Sequence, residues 1–298
     1  MNFMLRHKVL SVFIIGLTAF IYINFTSPTT PNPKVDKNSK YYVNDLYMSN
    51  NNAYNHLNDN EKKMYDLLFE STKKYKQKIN IDLKEHNCSS VNECIDYANK
   101  AQSALWVDHP ELLQFGWISW TYTNTELTIK INYAVSSELE TNIGIAYMKH
   151  QIEKIKKATK DLDDREKIIY VYEWIGHHAK YDKVFTGLSK NQSAYNVIVK
   201  KNAVCAGFAK ASQIILQNVG IDSECIEGDS GGGRHMWNIV TVGGKNYYYD
   251  STYAASISRD NSYYYYGLYQ SNLIKYSAAF PEWYGKIETD ELFEIINN

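Results

Sequence analysis

Cys205, His235 and Asp250 are the residues of this chain whose types and spacing could do nucleophilic acyl chemistry. Thirty residues separate the thiol from the imidazole, and fifteen more separate the imidazole from the carboxylate. A thiol reacts as its thiolate, and both a helix N-terminus and a neighbouring imidazolium favour that form. Cys205 would attack a carboxamide or other acyl carbon. His235 would accept and redistribute the proton, and Asp250 would orient the ring and stabilise its charged form. Ala206 and Gly207 are small, which would let a substrate approach the amides of the first turn, where the Cys205 N–H could help hold an oxyanion.

The elements that must position these groups can be read locally. Cys205-Ala206-Gly207-Phe208-Ala209-Lys210-Ala211 opens a predicted helix that ends near Gly220, a suitable residue just past a helix C-terminus. His235 to Val242 alternate as a strand, and Asn246 to Asp250 form the next one. Gly243-Gly244 between them is a two-residue hairpin signal. Folding there sets Val242 opposite Lys245, and Trp237 opposite Asp250. His235 and Asp250 then become diagonal neighbours on one face, ~7–8 Å apart at the backbone. Trp237 packs beside the site, and Asn238 faces away from His235. A bulge of one residue would break the arrangement, so the register is itself an expectation.

The spaced segments Gln192-Ser193-Ala194-Tyr195, Ala203-Val204-Cys205-Ala206-Gly207-Phe208-Ala209-Lys210-Ala211, Gly220-Ile221, Glu227-Gly228, His235-Met236-Trp237-Asn238 and Tyr249-Asp250-Ser251-Thr252 together resemble the transglutaminase-like superfamily, the papain-fold branch that includes bacterial surface proteins. The resemblance spans about residues 163–255. It implies an α+β fold with an antiparallel sheet packed on the helix that bears the nucleophile, and a Cys-His-Asp triad at Cys205, His235 and Asp250. Asp108-His109-Pro110-Glu111 reads as a turn. It also looks like the N-terminal segment that accompanies such domains in Gram-positive bacterial proteins. Gln192 could supply an oxyanion donor, as papain-like enzymes use Gln, although its polar setting reads more simply as surface. The chain has no C-x-x-C pair and no Ca²⁺ loop pattern, so neither a metal nor another cofactor is expected.

The chain has 298 residues and a net charge of −1, with no basic stripe that would suggest a nucleic-acid partner. Arg6, His7 and Lys8 precede an uncharged run from Val9 to Phe25. Its length of ~26 Å as a helix is slightly short of a ~30 Å hydrocarbon core. Residues 1–25 therefore read as a membrane anchor or a cleaved signal peptide, and either exports the chain. Residues 26–58, rich in Pro and Asn, read as a flexible linker. Residues 59–162 read as a smaller α+β segment. It carries helices over Asp59 to about Lys78, Ser90 to Ala104 and Ser136 to Lys160, with strands over Phe115 to Thr123 and Glu126 to Tyr133. Residues 163–298 read as the catalytic domain, with helices from Asp163 and over Ser193 to Lys200.

In an exported chain, Cys88 and Cys94 are the pair that could form a disulfide. They lie ~9 Å apart along an axis if one helix holds both, but within reach if Ser90 and Glu93 form a capping box that leaves Cys88 outside. Cys225 reads as a buried small hydrophobe. His177 and His178 read as compensating a helix C-terminus. The tyrosine-rich tail, with Tyr263 to Tyr266 in a row, reads as strand packing rather than a sugar platform.

These features predict an exported thiol enzyme acting on protein or peptide amides at the cell envelope. Its acyl-enzyme would pass to an amine or to water. The alternatives are a cell-wall peptide hydrolase and a non-catalytic binding or scaffold module of the envelope.

Overall fold

The computed structural model describes residues 37–46, 52–183, 190–256, 268 and 276–288. The run expected as anchor or signal peptide and the Tyr263 to Tyr266 tract lie outside these residues. Among the described residues, no helix is long and apolar enough to cross a membrane.

Among the described residues the first helix is α1 (Asn52–Asn55), followed by α2 (Asp59–Lys73). Asn58 caps α2 reciprocally with Glu61, which satisfies amides that the first turn would leave orphaned. The buried stripe Met64, Tyr65, Leu68 and Phe69 then follows helical spacing. The helix stops earlier than expected, because Tyr75 takes a left-handed φ of 53°. Lys78–Asp82 instead form strand β1, burying Ile79 and Ile81 in alternation. Helix α3 (Val91–Asp108) and strands β2 (Phe115–Tyr122) and β3 (Glu126–Tyr133) complete this part, whose sheet runs in the order β1-β3-β2.

Cys88 and Cys94 are joined in a disulfide with Cα atoms 5.5 Å apart. Ser90 caps α3 through the Glu93 amide, so Cys88 stays outside the helix and Cys94 lies in its first turn. The capping is not reciprocal, however. The Glu93 carboxylate takes the amide and hydroxyl of Ser89 instead.

Helix α4 (Glu138–Thr159) leads to α5 (Asp164–His178), which Asp163 and Glu166 cap reciprocally. A two-residue parallel pair follows, β4 (Lys180–Tyr181) with β5 (Asn202–Ala203). The helix expected at 193–200 is a single π turn, Asn196–Lys200, ended by a left-handed Lys201. Helix α6 (Cys205–Asn218) packs on an antiparallel sheet of β6 (Ser223–Ser230), β7 (Gly233–Val242), β8 (Lys245–Tyr249) and β9 (Tyr276–Ala278), in the order β8-β7-β6-β9. A short helix α7 (Thr252–Ser256) follows β8. The side chain of Asn238 on β7 donates to the Ala209 carbonyl at 3.0 Å, and Gln213 accepts from the Cys225 amide at 2.8 Å. These bonds pin α6 to the sheet.

Ala206 and Ala209 of α6, with Cys225 and Met236, pack into the same cluster as α2, α3 and β1–β3. Phe208, Ala211 and Ile214 of the same helix enter a second cluster, with α4 and α5. The stretch read as a flexible linker is also part of the fold where it is described. Leu46, Ala53 and Leu57 are buried, and the Asp108 carboxylate accepts the Ala53 and Tyr54 amides at 3.0 and 2.9 Å. Asp108 thus supplies α1 with a cap from a distant part of the chain. Asp108-His109-Pro110-Glu111 is a turn, as expected, but a buried one, with His109 Nδ1 2.7 Å from Glu111.

Strand β9 docks closely because Gly228 has no side chain: a Cβ there would lie 2.1 Å from the Ser277 carbonyl oxygen. Gly228→Ala should therefore cost about 1–3 kcal/mol of stability, the usual penalty of overpacking. Chemical denaturation measures this, and an unchanged midpoint would show that β9 yields freely.

Candidate active site

Helix α6 starts at Cys205 because Val204 before it is extended and no side chain caps the turn. The register of the short parallel pair places Tyr181 beside Ala203, two residues ahead of the thiol. The Tyr181 hydroxyl hydrogen-bonds to the Cys205 backbone. The loop before β5 is held by the Val204 amide, which donates to the Asn191 carbonyl at 3.0 Å. Gly207 permits this closeness. A Cβ there would meet Ala203 Cβ at 2.8 Å and the Ser193 and Asn191 carbonyl oxygens at 3.1 and 3.2 Å. Gly207 thus makes room for the loop, not for a substrate, which corrects the expectation from its size.

The β7–β8 hairpin has the register expected from the Gly243-Gly244 turn, from Val242 opposite Lys245 to Asn238 opposite Tyr249. Asp250 follows the last paired residue. Its Oδ2 lies 2.6 Å from His235 Nε2. The other carboxylate oxygen accepts the Thr252 amide at 3.0 Å. Because Nε2 is taken by Asp250, Nδ1 is left for the sulfur, and Cys205 is a hydrogen-bond and charge partner of the ring. The structure therefore brings Cys205, His235 and Asp250 together. Trp237 stacks on the His235 ring at 6.0 Å, and Asn238 points to the opposite face, both as expected.

The electrostatics follow burial and pairing. Asp250 is 1% exposed, and burial alone would raise its pKa; the His235 ring and Thr252 outweigh burial and lower it. Burial pulls His235 down, but the Asp250 carboxylate and then the Cys205 sulfur push it up to about 10. Burial pushes the Cys225 thiol up to about 12, while Cys205 is partly exposed. Cys225 is thus the buried, inert cysteine expected from its apolar setting.

Cys205 and His235 open into a cleft of about 290 Å³. Gln192 lines it and is buried, not on the surface as its polar setting suggested. Trp106 of α3 and Trp117 of β2 form part of the wall. Buried Lys210 lies 4.7 Å from the Trp106 ring. Burial pulls this amine down to about 8, partly offset by Cys225 and Glu227. Sequence reasoning missed Tyr181, Trp106, Trp117 and Tyr276, because none has a local signal that separates it from ordinary packing. His178 also differs from expectation. It is half-buried, its Nε2 lies 2.8 Å from the Ile198 carbonyl, and burial lowers its pKa. Among the described residues, no group of three or more His, Cys, Asp or Glu could hold a metal ion.

Residues 150–251, which include all three residues, match the family model of the transglutaminase-like superfamily. This bears out the resemblance read from the spaced motifs, and the α+β fold is the one expected. The match supports a thiol enzyme in general. No curated protein matches the chain. Among solved structures it is similar to a TGase at 15% identity and a TM-score of 0.34, covering 46% of this chain and 44% of that one. It is also similar to a candidate cysteine protease from Cytophaga hutchinsonii, at 16% identity and 0.29, covering 46% and 62%. A candidate protease from Parabacteroides distasonis follows at 13% and 0.33, covering 59% and 40%. The chain thus spans under two thirds of each of these structures.

The raised His235 pKa carries a sign for stability. Between its ordinary value of 6.5 and about 10, the folded chain holds a proton that the unfolded chain releases. The stabilisation is present in full below the ordinary value and is lost as pH rises through the folded one. Thermal unfolding should show the parent losing stability from pH 7 to 10, and His235→Gln losing distinctly less. Parallel curves would contradict the pairing.

Proposed function

We propose that this chain is an exported thiol enzyme that forms an acyl-enzyme from a protein or peptide amide at the cell envelope. The observation that carries the reading is the shared cleft of Cys205 and His235, with the ring held 2.6 Å from a buried carboxylate. The Cys205 thiolate attacks the amide carbon, and a sulfur–carbon bond forms as the carbonyl oxygen becomes anionic. The Cys205 amide and the Gln192 side chain are the candidate donors to that oxygen. The Tyr181 hydroxyl now lies against the same backbone and marks the position. His235 gives its proton to the departing amine as the carbon–nitrogen bond breaks. It then takes a proton from the incoming amine or water, whose attack releases the thiolate.

Two features support export: the apolar run after Arg6, His7 and Lys8, which would anchor or direct the chain, and the Cys88–Cys94 disulfide, a bond favoured in oxidising compartments. The cleft wall of Trp106, Trp117 and Tyr181 suits an amide on an apolar stem.

Incubation with a glutamine-containing peptide, with and without a primary alkylamine, separates the two fates by mass spectrometry. The peptide should gain the amine or lose ammonia to water, and Cys205→Ala should lower either product by at least about a thousandfold. Cell-wall fragments offered in the same assay report the hydrolase alternative. Equal yields from the parent and Cys205→Ala would end the enzymatic reading.

A further inference from the structure

We propose that the Tyr276 hydroxyl is a positioning group for the His235–Asp250 pair and, through it, for the Cys205 thiol; this rests on the thiol-enzyme reading above. Tyr276 donates to Asp250 Oδ2 at 3.0 Å, the same oxygen that lies 2.6 Å from His235 Nε2. Its ring lies 6.4 Å from the His235 ring, at 19° between planes, and 4.8 Å from Trp237. The imidazole therefore lies between two aromatic rings and is bonded to a carboxylate that Tyr276 also bonds.

The chemistry follows from the count of donors. Asp250 is buried, with Oδ1 taking the Thr252 amide and Oδ2 taking both the imidazole and the phenol. Each added donor stabilises the anion and lowers its basicity, so the proton between ring and carboxylate stays on the ring. Burial raises the Tyr276 pKa, so its hydroxyl remains a donor at ordinary pH.

The route that brings Tyr276 here is specific. In the sheet it pairs with Ser230 of β6, and β6 lies between β9 and the strand that carries His235. The close docking of β9 depends on the bare backbone at Gly228. Tyr276 also lies beyond the segment 150–251 that matches the family model. A residue from the tyrosine-rich tail thus reaches the site across a strand, acting on the ring rather than touching the substrate.

The test is the pH profile of Cys205 carboxymethylation by iodoacetate in the full chain, read by intact mass. A protonated His235 attracts the reagent's carboxylate, so the alkaline limb reports the ring. Tyr276→Phe should slow alkylation at pH 7 by about threefold to tenfold, the usual effect of one lost hydrogen bond. The alkaline midpoint should move upward, with the folding transition within a few degrees of the parent's. Site-specific 3-fluorotyrosine at 276 keeps the packing and strengthens the donor, and should move the midpoint the other way; it stands in if Tyr276→Phe fails to fold. Profiles of both variants that superimpose on that of a reactive parent overturn the role of Tyr276 alone. A parent thiol that stays inert until unfolding overturns the thiol-enzyme reading, and this role with it.

Discussion

A buried carboxylate is the constraint on which the site depends. Removing an ionised Asp from water is expensive unless donors replace its hydration. Asp250 receives three: the His235 ring, the Thr252 amide and the Tyr276 hydroxyl. Each comes from a different element, so the hydration that burial removes is replaced jointly from β7, the turn into α7 and β9. The same charge keeps His235 protonated and ready to pair with the sulfur. The folding of this end of the molecule and the chemistry of the cleft are therefore one electrostatic arrangement.

The helix that carries the thiol is equally constrained. Apart from Cys205 itself, nearly all of α6 is buried, with residues in two apolar clusters. A helix enclosed in this way has little freedom to shift, which suits an element that must hold a sulfur beside a ring. Lys210 shows the cost of that burial: its amine has no surface to reach and is left beside the Trp106 ring. The N-terminal segment is a second support rather than an appendage, because α3 and β2 place Trp106 and Trp117 in the cleft wall.

What could be read from the sequence was what depends on neighbours in the chain. The hairpin register followed from a two-residue turn and a period of two. The start of α5 followed from Asp163, and the freedom of Cys88 to bridge followed from Ser90. What could not be read depends on distant contacts. Strand β1 was not expected, because Lys78–Asp82 has only two apolar residues and the partner β3 decides their conformation. Gln192 looked exposed because nothing local shows that the α6 turn at Gly207 draws its loop inward. Tyr276 sat among many tyrosines, and only the docking of β9 sets it apart.

The segment around residues 37–58 also bears on the order of assembly. The Leu46 carbonyl accepts from Asn218, 172 residues later, and Asn52 bonds to Glu224 across the same separation. Such pairings close very long loops, which slows their formation relative to the local helices and hairpins. Both partners arise only after most of the chain has been synthesised. These two bonds must therefore wait for the later chain, whereas the amides of Ala53 and Tyr54 can find Asp108 sooner.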